Sequence, residues 1–223
     1  MYQFIFKHVK EYNTAWDCAT GNGQVAQYLA RYFEQVLATD ISQQQLDHAA
    51  LSDNIIYSVS SAEQTSFKDN QFDLITVAQA LHWFDANKFY YEATRVGKPG
   101  SLIAVWGYGM LNIESRIDAM FRSFYSDTVG PYWDDARRLV EQGYKTISFP
   151  FEEISAPEFF IEVQWTLEQL SGYLSSWSAT QKYIKEKGHD PVTPFIQKLQ
   201  KHWPSAVMKV SFPVFLRIGR IIK

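Results

Sequence analysis

Two carboxylates and a glycine-rich loop are the residues of this 223-residue chain whose types and spacing could do chemistry. Asp17 is followed by Cys18-Ala19-Thr20-Gly21-Asn22-Gly23, and a second acid, Asp40, ends the apolar run 35–39. Glycines after a strand let the backbone turn through positive φ and approach a ligand closely. Parallel sheets bind ligands beyond the carboxyl ends of their strands, and an acid ending the second strand faces the two hydroxyls of a ribose. Asp17 is accordingly expected near the ligand rather than in the core. Two ligands compete for this layout. Gly21-Asn22-Gly23-Gln24-Val25-Ala26 fits the dinucleotide pattern G-x-G-x-x-A, with Asp40 near the spacing for NAD. A pyrophosphate, however, prefers a helix N-terminus with no carboxylate beside it. S-adenosylmethionine (SAM) has no phosphate and carries an ammonium and a sulfonium, so Asp17 suits it better.

The elements that must position these residues alternate along the chain. Thr14-Ala15-Trp16 leads to Asp17, and Val25, Tyr28, Leu29, Tyr32 and Phe33 then recur at helical spacing. Strands are predicted over 35–39, 54–59, 72–78 and 101–106, with a helix from about Ser42, its N-cap, and another over 85–96. Gly97 stops that helix, with Pro99-Gly100 just beyond. This alternation predicts an α/β fold, a Rossmann-like, doubly wound and mostly parallel sheet of seven strands with helices on both faces. After the fifth strand the pattern turns helical, and 112–150 reads as a helical cap inserted into a single domain spanning 1–223. Residues 159–165 return to strand, helices fill most of 167–203, and 207–218 is a last strand-rich stretch.

Composition narrows the function further. A net charge of -3 offers no general attraction to phosphate backbones or anionic lipid, so neither nucleic acid nor membrane is an expected partner. Cys18 is the only cysteine, which excludes an intrachain disulfide and a cysteine-based zinc site, and no metal is expected. No basic-then-apolar leader follows Met1 and no apolar run reaches spanning length, so the expectation is a cytoplasmic enzyme, monomeric or homodimeric. Aromatics reach 16%, which suits a core but also a pocket that closes around an organic ligand.

With the loop, the second acid and the strand order in view, Asp17-x-Ala19-x-Gly21-x-Gly23 resembles the acid-x-Gly-x-Gly-x-Gly loop of class I SAM-dependent methyltransferases, with Ala19 at the first glycine. Ser61-Ala62-Glu63 looks like the Asp-Ala-Glu segment that touches adenine in that family, with Ser61 in place of the acid. Gln79-Ala80 matches the loop after the fourth strand, and Glu92 to Gly100 the helix and Lys-Pro-Gly turn before the fifth. The resemblance covers 12–106 and is closest to the methyltransferase type 11 group. Within that group, Gln79-Ala80-Leu81-His82-Trp83-Phe84, Gly130-Pro131-Tyr132-Trp133 and the ending Phe215-Leu216-Arg217-Ile218-Gly219 are similar to trans-aconitate methyltransferase-like proteins. Only about one helix precedes the first strand, less than the N-terminal segment that folds over SAM in many members. The resemblance implies cofactor contacts at Asp17, Ala19, Thr20, Gly21, Gly23, Asp40, Ile41, Ala62, Glu63, Gln79 and Ala80, with S-adenosylhomocysteine as product.

Methyl transfer is an in-line displacement, in which the protein mainly aligns the nucleophile and excludes water. A carboxylate acceptor needs no base, whereas a hydroxyl, amine or carbon acceptor often does. His82, just after the fourth strand, is the candidate base, and a structural partnership with Trp83 is the alternative. Trp83, Tyr132 and Trp133 are candidate pocket walls, and Arg137 and Arg138 match a carboxylate substrate or form a solvated helix face. The leading expectation is a SAM-dependent methyltransferase acting on a small molecule, with methyl ester formation on a carboxylic acid as one form. An NAD(P)-dependent oxidoreductase and a non-catalytic SAM-binding module remain as alternatives.

Overall fold

The computed structural model describes residues 1–223. Its strands are β1 (Thr14–Cys18), β2 (Gln35–Asp40), β3 (Ile55–Val59), β4 (Phe72–Ala78), β5 (Gly97–Tyr108), β6 (Glu152–Ile154), β7 (Phe159–Trp165) and β8 (Met208–Arg220). They form one eight-stranded sheet in the order β3-β2-β1-β4-β5-β8-β6, with β7 paired to β8. The pairings among β1 to β5 are parallel, and β6 runs antiparallel to β8. The count is eight rather than seven because β6 exists. It is three residues long and two of them are Glu, so its pairing to β8 leaves no apolar pattern in the sequence.

The chain divides into two compact units. Residues 1–108, 142–159 and 215–223 make the first, and 109–141 with 160–214 the second. The segment 112–150 therefore divides at Glu141, its last part belonging with the sheet strands of the first unit.

In the first unit, α1 (Tyr2–Phe6), α2 (Gln24–Leu29), α3 (Gln43–Leu46) and α4 (Ala86–Val96) alternate with the strands. Trp16, Phe72 and Phe89 are fully buried, and their rings meet at centroid distances of 5.9 and 6.0 Å. Removing each such side chain from water contributes about 1.5–3 kcal/mol. Helical spacing runs on to Phe33, yet α2 stops at Leu29. The Asn54 amide donates to the carbonyls of Ala30 (2.8 Å) and Phe33 (3.0 Å), groups that the end of the helical turns leaves without an intrahelical partner. Ser42 caps α3 as expected, its hydroxyl accepting from Gln45 N at 3.3 Å, but that helix is four residues long. Asp85 caps α4 through Lys88 N (3.3 Å). Gly97 does end α4, but the strand begins at once, and Gly100 adopts φ +77° within β5 rather than in a separate turn.

The second unit holds α5 (Ser115–Ser123), a wide π-turn over 124–128, α6 (Arg137–Glu141), α7 (Leu167–Ser175), α8 (Ser178–Lys187) and α9 (Val192–Gln200). Thr166 and Gln169 form a capping box at the start of α7, and Phe124 stacks on Phe195 at 4.5 Å. No helix of the protein is long and apolar enough to cross a membrane.

Candidate active site

β1 lies between β2 and β4, so the strand order reverses there and the carboxyl ends of β1 and β4 open together. The loop after β1 is wound tightly: Ala19, Gly21 and Gly23 have φ of +53°, +58° and +84°. Ala19 thus takes a left-handed conformation that a glycine would take at no steric cost. Asp17 braces this loop from beneath. It is 1% exposed, and it accepts from the Thr20 hydroxyl at 2.5 Å and the Thr76 hydroxyl of β4 at 2.8 Å. The carboxylate is therefore buried under the loop and does not line the opening, contrary to the placement expected from sequence. Sheet packing closes over it, and two hydroxyls replace the water it loses.

Asp40 does reach the opening. One of its oxygens accepts from Gly21 N (2.8 Å), the other from Ser42 N (2.9 Å). A carboxylate oxygen has two lone pairs, so each retains one for a ligand hydroxyl. The cavity beside it measures about 460 Å³ and takes its walls from the first unit alone. Ala19 and Gly21 form one side with Asp40, and Ile41 stands at the rim with 79% of its surface exposed. Ala62 and Glu63 line the far side, and Gln79, Ala80 and Trp83 the side nearest β4.

Two networks hold those walls. Arg95 donates to Glu92 (2.7 and 2.9 Å), Asp69 (2.7 Å) and the Phe67 carbonyl (2.8 Å), pinning the loop 60–71 to α4. The Glu63 carboxylate accepts from the Ser61 hydroxyl and from Asp85 N (3.1 Å), so Ser61 fixes Glu63 rather than standing alone at the rim. Gln79 has φ +54° and bridges the ends of β4 and β5: its N donates to the Trp106 carbonyl (2.7 Å), and its side-chain oxygen accepts from Tyr108 N (2.9 Å). Thr20 and Gly23 do not line the cavity; a Cβ on Gly23 would strike the Tyr57 hydroxyl, so this glycine keeps β3 close to the loop.

A model of the methyltransferase domain (type 11) matches residues 16–105. A protein of Dictyostelium discoideum named "Putative methyltransferase" is 31% identical over 229 residues, 99% of this chain and 87% of that protein. The solved structure of a "Putative Type II Methyltransferase" from Anaeromyxobacter dehalogenans superposes with a TM-score of 0.91 at 33% identity, over 99% of this chain and 95% of that one. The chain belongs to the class I SAM-dependent methyltransferases. A ubiquinone/menaquinone biosynthesis C-methyltransferase of Rickettsia typhi is also similar, 30% identical over 144 residues, 58% of this chain and 57% of the relative. The nicotinamide reading of the glycine loop is thereby set aside.

Several cavity residues of the methyltransferase were not singled out from sequence: Gln45, Ser60, Ala78 and Phe84. Ser60 and Ala78 end β3 and β4 or follow them, so the rule that ligands sit at strand carboxyl ends could have found both. Phe84 ends the segment 79–84 but was given no role, and Gln45 carries no such signal. Cys18 is a buried packing residue, and burial pushes its thiol pKa up, away from nucleophilic use. His82 does not line the cavity, although its neighbours Ala80 and Trp83 do. Its Nδ1 lies 2.9 Å from the Tyr144 hydroxyl, and its ring centroid 4.7 Å from that of Trp83.

The remaining expected substrate residues of the methyltransferase belong to the second unit. Arg137 is engaged there: its Nε donates to the Tyr125 hydroxyl (3.0 Å), and its guanidinium sits 4.8 Å over Trp133. Such stacking uses the planar face of the group. Arg138 is exposed on α6, and the Tyr132 hydroxyl donates to Glu186 at 3.3 Å.

Burial raises the Asp17 pKa to about 6, against the pull of the Thr20 and Thr76 hydroxyls, and the Asp40 charge adds to the rise. A carboxyl whose folded pKa lies above its unfolded value binds more protons when folded, so stability falls as pH rises between the two values. From pH 4 to 6 the Asp17 carboxyl is expected to cost the fold up to about 3 kcal/mol. Urea unfolding of wild type and Asp17→Asn across this range measures the difference: the gap between the two must change with pH, and a constant gap contradicts it.

Proposed function

We propose that this methyltransferase acts on a small molecule bearing a carboxylate, forming a methyl ester, with SAM seated in the 460 Å³ cavity at the β1/β4 switch point. The observation that carries the cofactor seat is the pairing of Asp40 with Ile41. A carboxylate with spare lone pairs and an exposed apolar side chain stand side by side, which suits a ribose joined to a flat base. Asp40 binds the ribose hydroxyls. Ile41, Ala62 and Phe84 supply apolar surface for adenine, and the backbone of Ala19 and Gly21 lies against the amino-acid end. Asp17 stabilises the cationic cofactor through the loop it braces rather than by contact. Thr20 and Gly23 shape that loop. Gln79 fixes the end of β4 beside the transfer path.

Bound SAM supplies a methyl carbon activated by the sulfonium, which leaves as the neutral thioether of S-adenosylhomocysteine. The protein holds the acceptor in line and keeps water out, an effect worth roughly 7–11 kcal/mol at best. A carboxylate acceptor is favoured because the segment 79–84 offers a single side chain able to handle a proton, His82, and Tyr144 already engages its Nδ1. A carboxylate has no proton to remove. The similarity of the segment 79–84 to trans-aconitate methyltransferase-like proteins supports the same choice.

Calorimetry with SAM and S-adenosylhomocysteine tests the seat, where low-micromolar binding of both is expected and no heat at high micromolar concentration refutes it. A screen of organic acids and phenols that detects S-adenosylhomocysteine release tests the acceptor. Turnover of phenols with none of any acid rejects the ester reading.

A further inference from the structure

The second unit contains a cavity of its own, about 390 Å³ and so within the range of small-ligand pockets, roughly 300–1,000 Å³. None of its lining residues belongs to the cofactor seat. The sequence builds its apolar wall at the start of α9. Pro191 and Pro194 bracket the first helical turn, where a missing N–H removes no helix bond. Phe195 follows and stacks on Phe124 of the π-turn at 4.5 Å, with the planes inclined by 23°. Met120 of α5 completes this side, and its unbranched thioether adapts to rings of varied shape.

The polar residues of the lining are mostly engaged within the protein. His189 Nδ1 lies 3.1 Å from the Lys187 carbonyl, which can only accept, so that nitrogen carries a proton. In the neutral ring Nε2 then accepts from the Tyr183 hydroxyl at 3.1 Å. The Ser123 hydroxyl donates to Asp127 (2.8 Å), which also accepts from the Ser126 hydroxyl (2.8 Å). Asp190 is held to the first turn of α9, accepting from Val192 N (2.8 Å) and Thr193 N (3.0 Å). Two lining groups remain. Lys182 and Lys187 are paired with Asp134 and Glu186, whereas neither the Lys198 ammonium nor the Thr128 hydroxyl has a partner in the protein. The local charge has the same sign: 182–201 holds Lys182, Lys185, Lys187, Lys198 and Lys201 against Glu186 and Asp190, in a chain whose net charge is -3.

We propose that this cavity binds an aromatic monocarboxylate, its ring against the proline and phenylalanine wall and its carboxylate on Lys198 and Thr128. A single ammonium balances a single charge, and a phosphate dianion would leave one charge uncompensated beside an apolar wall. The hydroxyl supplies a donor for the second carboxylate oxygen. The proposal concerns binding alone, and it rests neither on the cofactor seat nor on the choice of methyl acceptor.

Titration of the full chain with 2-naphthoate, with and without S-adenosylhomocysteine, tests it by calorimetry and by the methyl signal of Thr128. One-site binding with a Kd below about 1 mM is expected in both states. The neutral alcohol 2-naphthylmethanol has the same rings and is expected to bind at least about tenfold more weakly, because a hydrogen bond to a charged group outweighs a neutral one. Lys198→Met keeps most of the stem and removes the charge. Pro194→Glu keeps Lys198 but sets a carboxylate one helical turn before it, where the two pair. Both positions are exposed, and each variant is expected to weaken 2-naphthoate about tenfold while its melting temperature stays within about 2 °C of wild type. No binding by wild type, an alcohol that binds as tightly as the acid, or an affinity unchanged in either variant overturns the proposal. Displacement of 2-naphthoate by an equal concentration of inorganic phosphate overturns it as well. The alcohol and phosphate comparisons are read on wild type, so they decide the matter even where a variant fails to fold.

Discussion

Replacing Asp40 with Ala is expected to lower SAM affinity by about a hundredfold or more. Its two oxygens hold Gly21 N and Ser42 N at 2.8 and 2.9 Å, so the carboxylate both shapes the loop and, in the proposed seat, meets the ribose. Hydrogen bonds to a charged group are each worth about 1.5–3 kcal/mol, and losing those to two hydroxyls already amounts to two orders of magnitude. Asp40→Asn separates the two roles. The amide keeps one acceptor oxygen but places donors toward a backbone N–H, so affinity is expected between wild type and Asp40→Ala. Titration calorimetry with SAM and S-adenosylhomocysteine measures both variants. Affinity unchanged in Asp40→Ala contradicts the ribose role outright.

Gly107→Ala is expected to destabilise the fold by about 2–4 kcal/mol, although it adds a single methyl group. Gly107 lies in β5, where a Cβ would overlap the Gln79 side-chain oxygen and the edge of the Phe215 ring. Neither neighbour is free to move. The Gln79 oxygen is committed to Tyr108 N, and the Phe215 ring is packed against Tyr144 and beside Gly143. Displacing Gln79 releases the bridge between β4 and β5, and displacing Phe215 disturbs the turn that carries Tyr144. For a chain of this size the cost corresponds to a fall in melting temperature of about 5–15 °C. Differential scanning calorimetry reads it, and a shift below about 2 °C shows that the site relaxes without strain.

Much of the framework was legible because it is local. β4 and β7 have the bounds that apolar runs predict, and Ser42 and Asp85 cap the helices that follow them. These features depend on the chemistry of a few adjacent residues. Helix lengths were less legible. Spacing alone extends α2 to Phe33, whereas the regular helix ends at Leu29 and the turns that follow are tied down by Asn54, which is more than twenty positions away in the chain. β6 was missed because its pairing to β8, not its own composition, makes it a strand.

The amino-acid sequence by itself determined that a glycine loop between two acids follows the first strand, a pattern that favoured SAM over a dinucleotide. Residue types at short spacing suffice for that, since a tight loop and a strand-terminal acid need no distant partner. Only the tertiary structure decided what each acid does. Asp40 opens on the cavity, while Asp17 is sealed beneath the loop by Thr20 and by Thr76, which lies 59 positions along the chain. It likewise decided the neighbour of His82, a tyrosine 62 positions away held in a left-handed turn by Arg217. Burial and long-range hydrogen bonding set the surroundings of these groups, and both arise only when the sheet brings separate segments together.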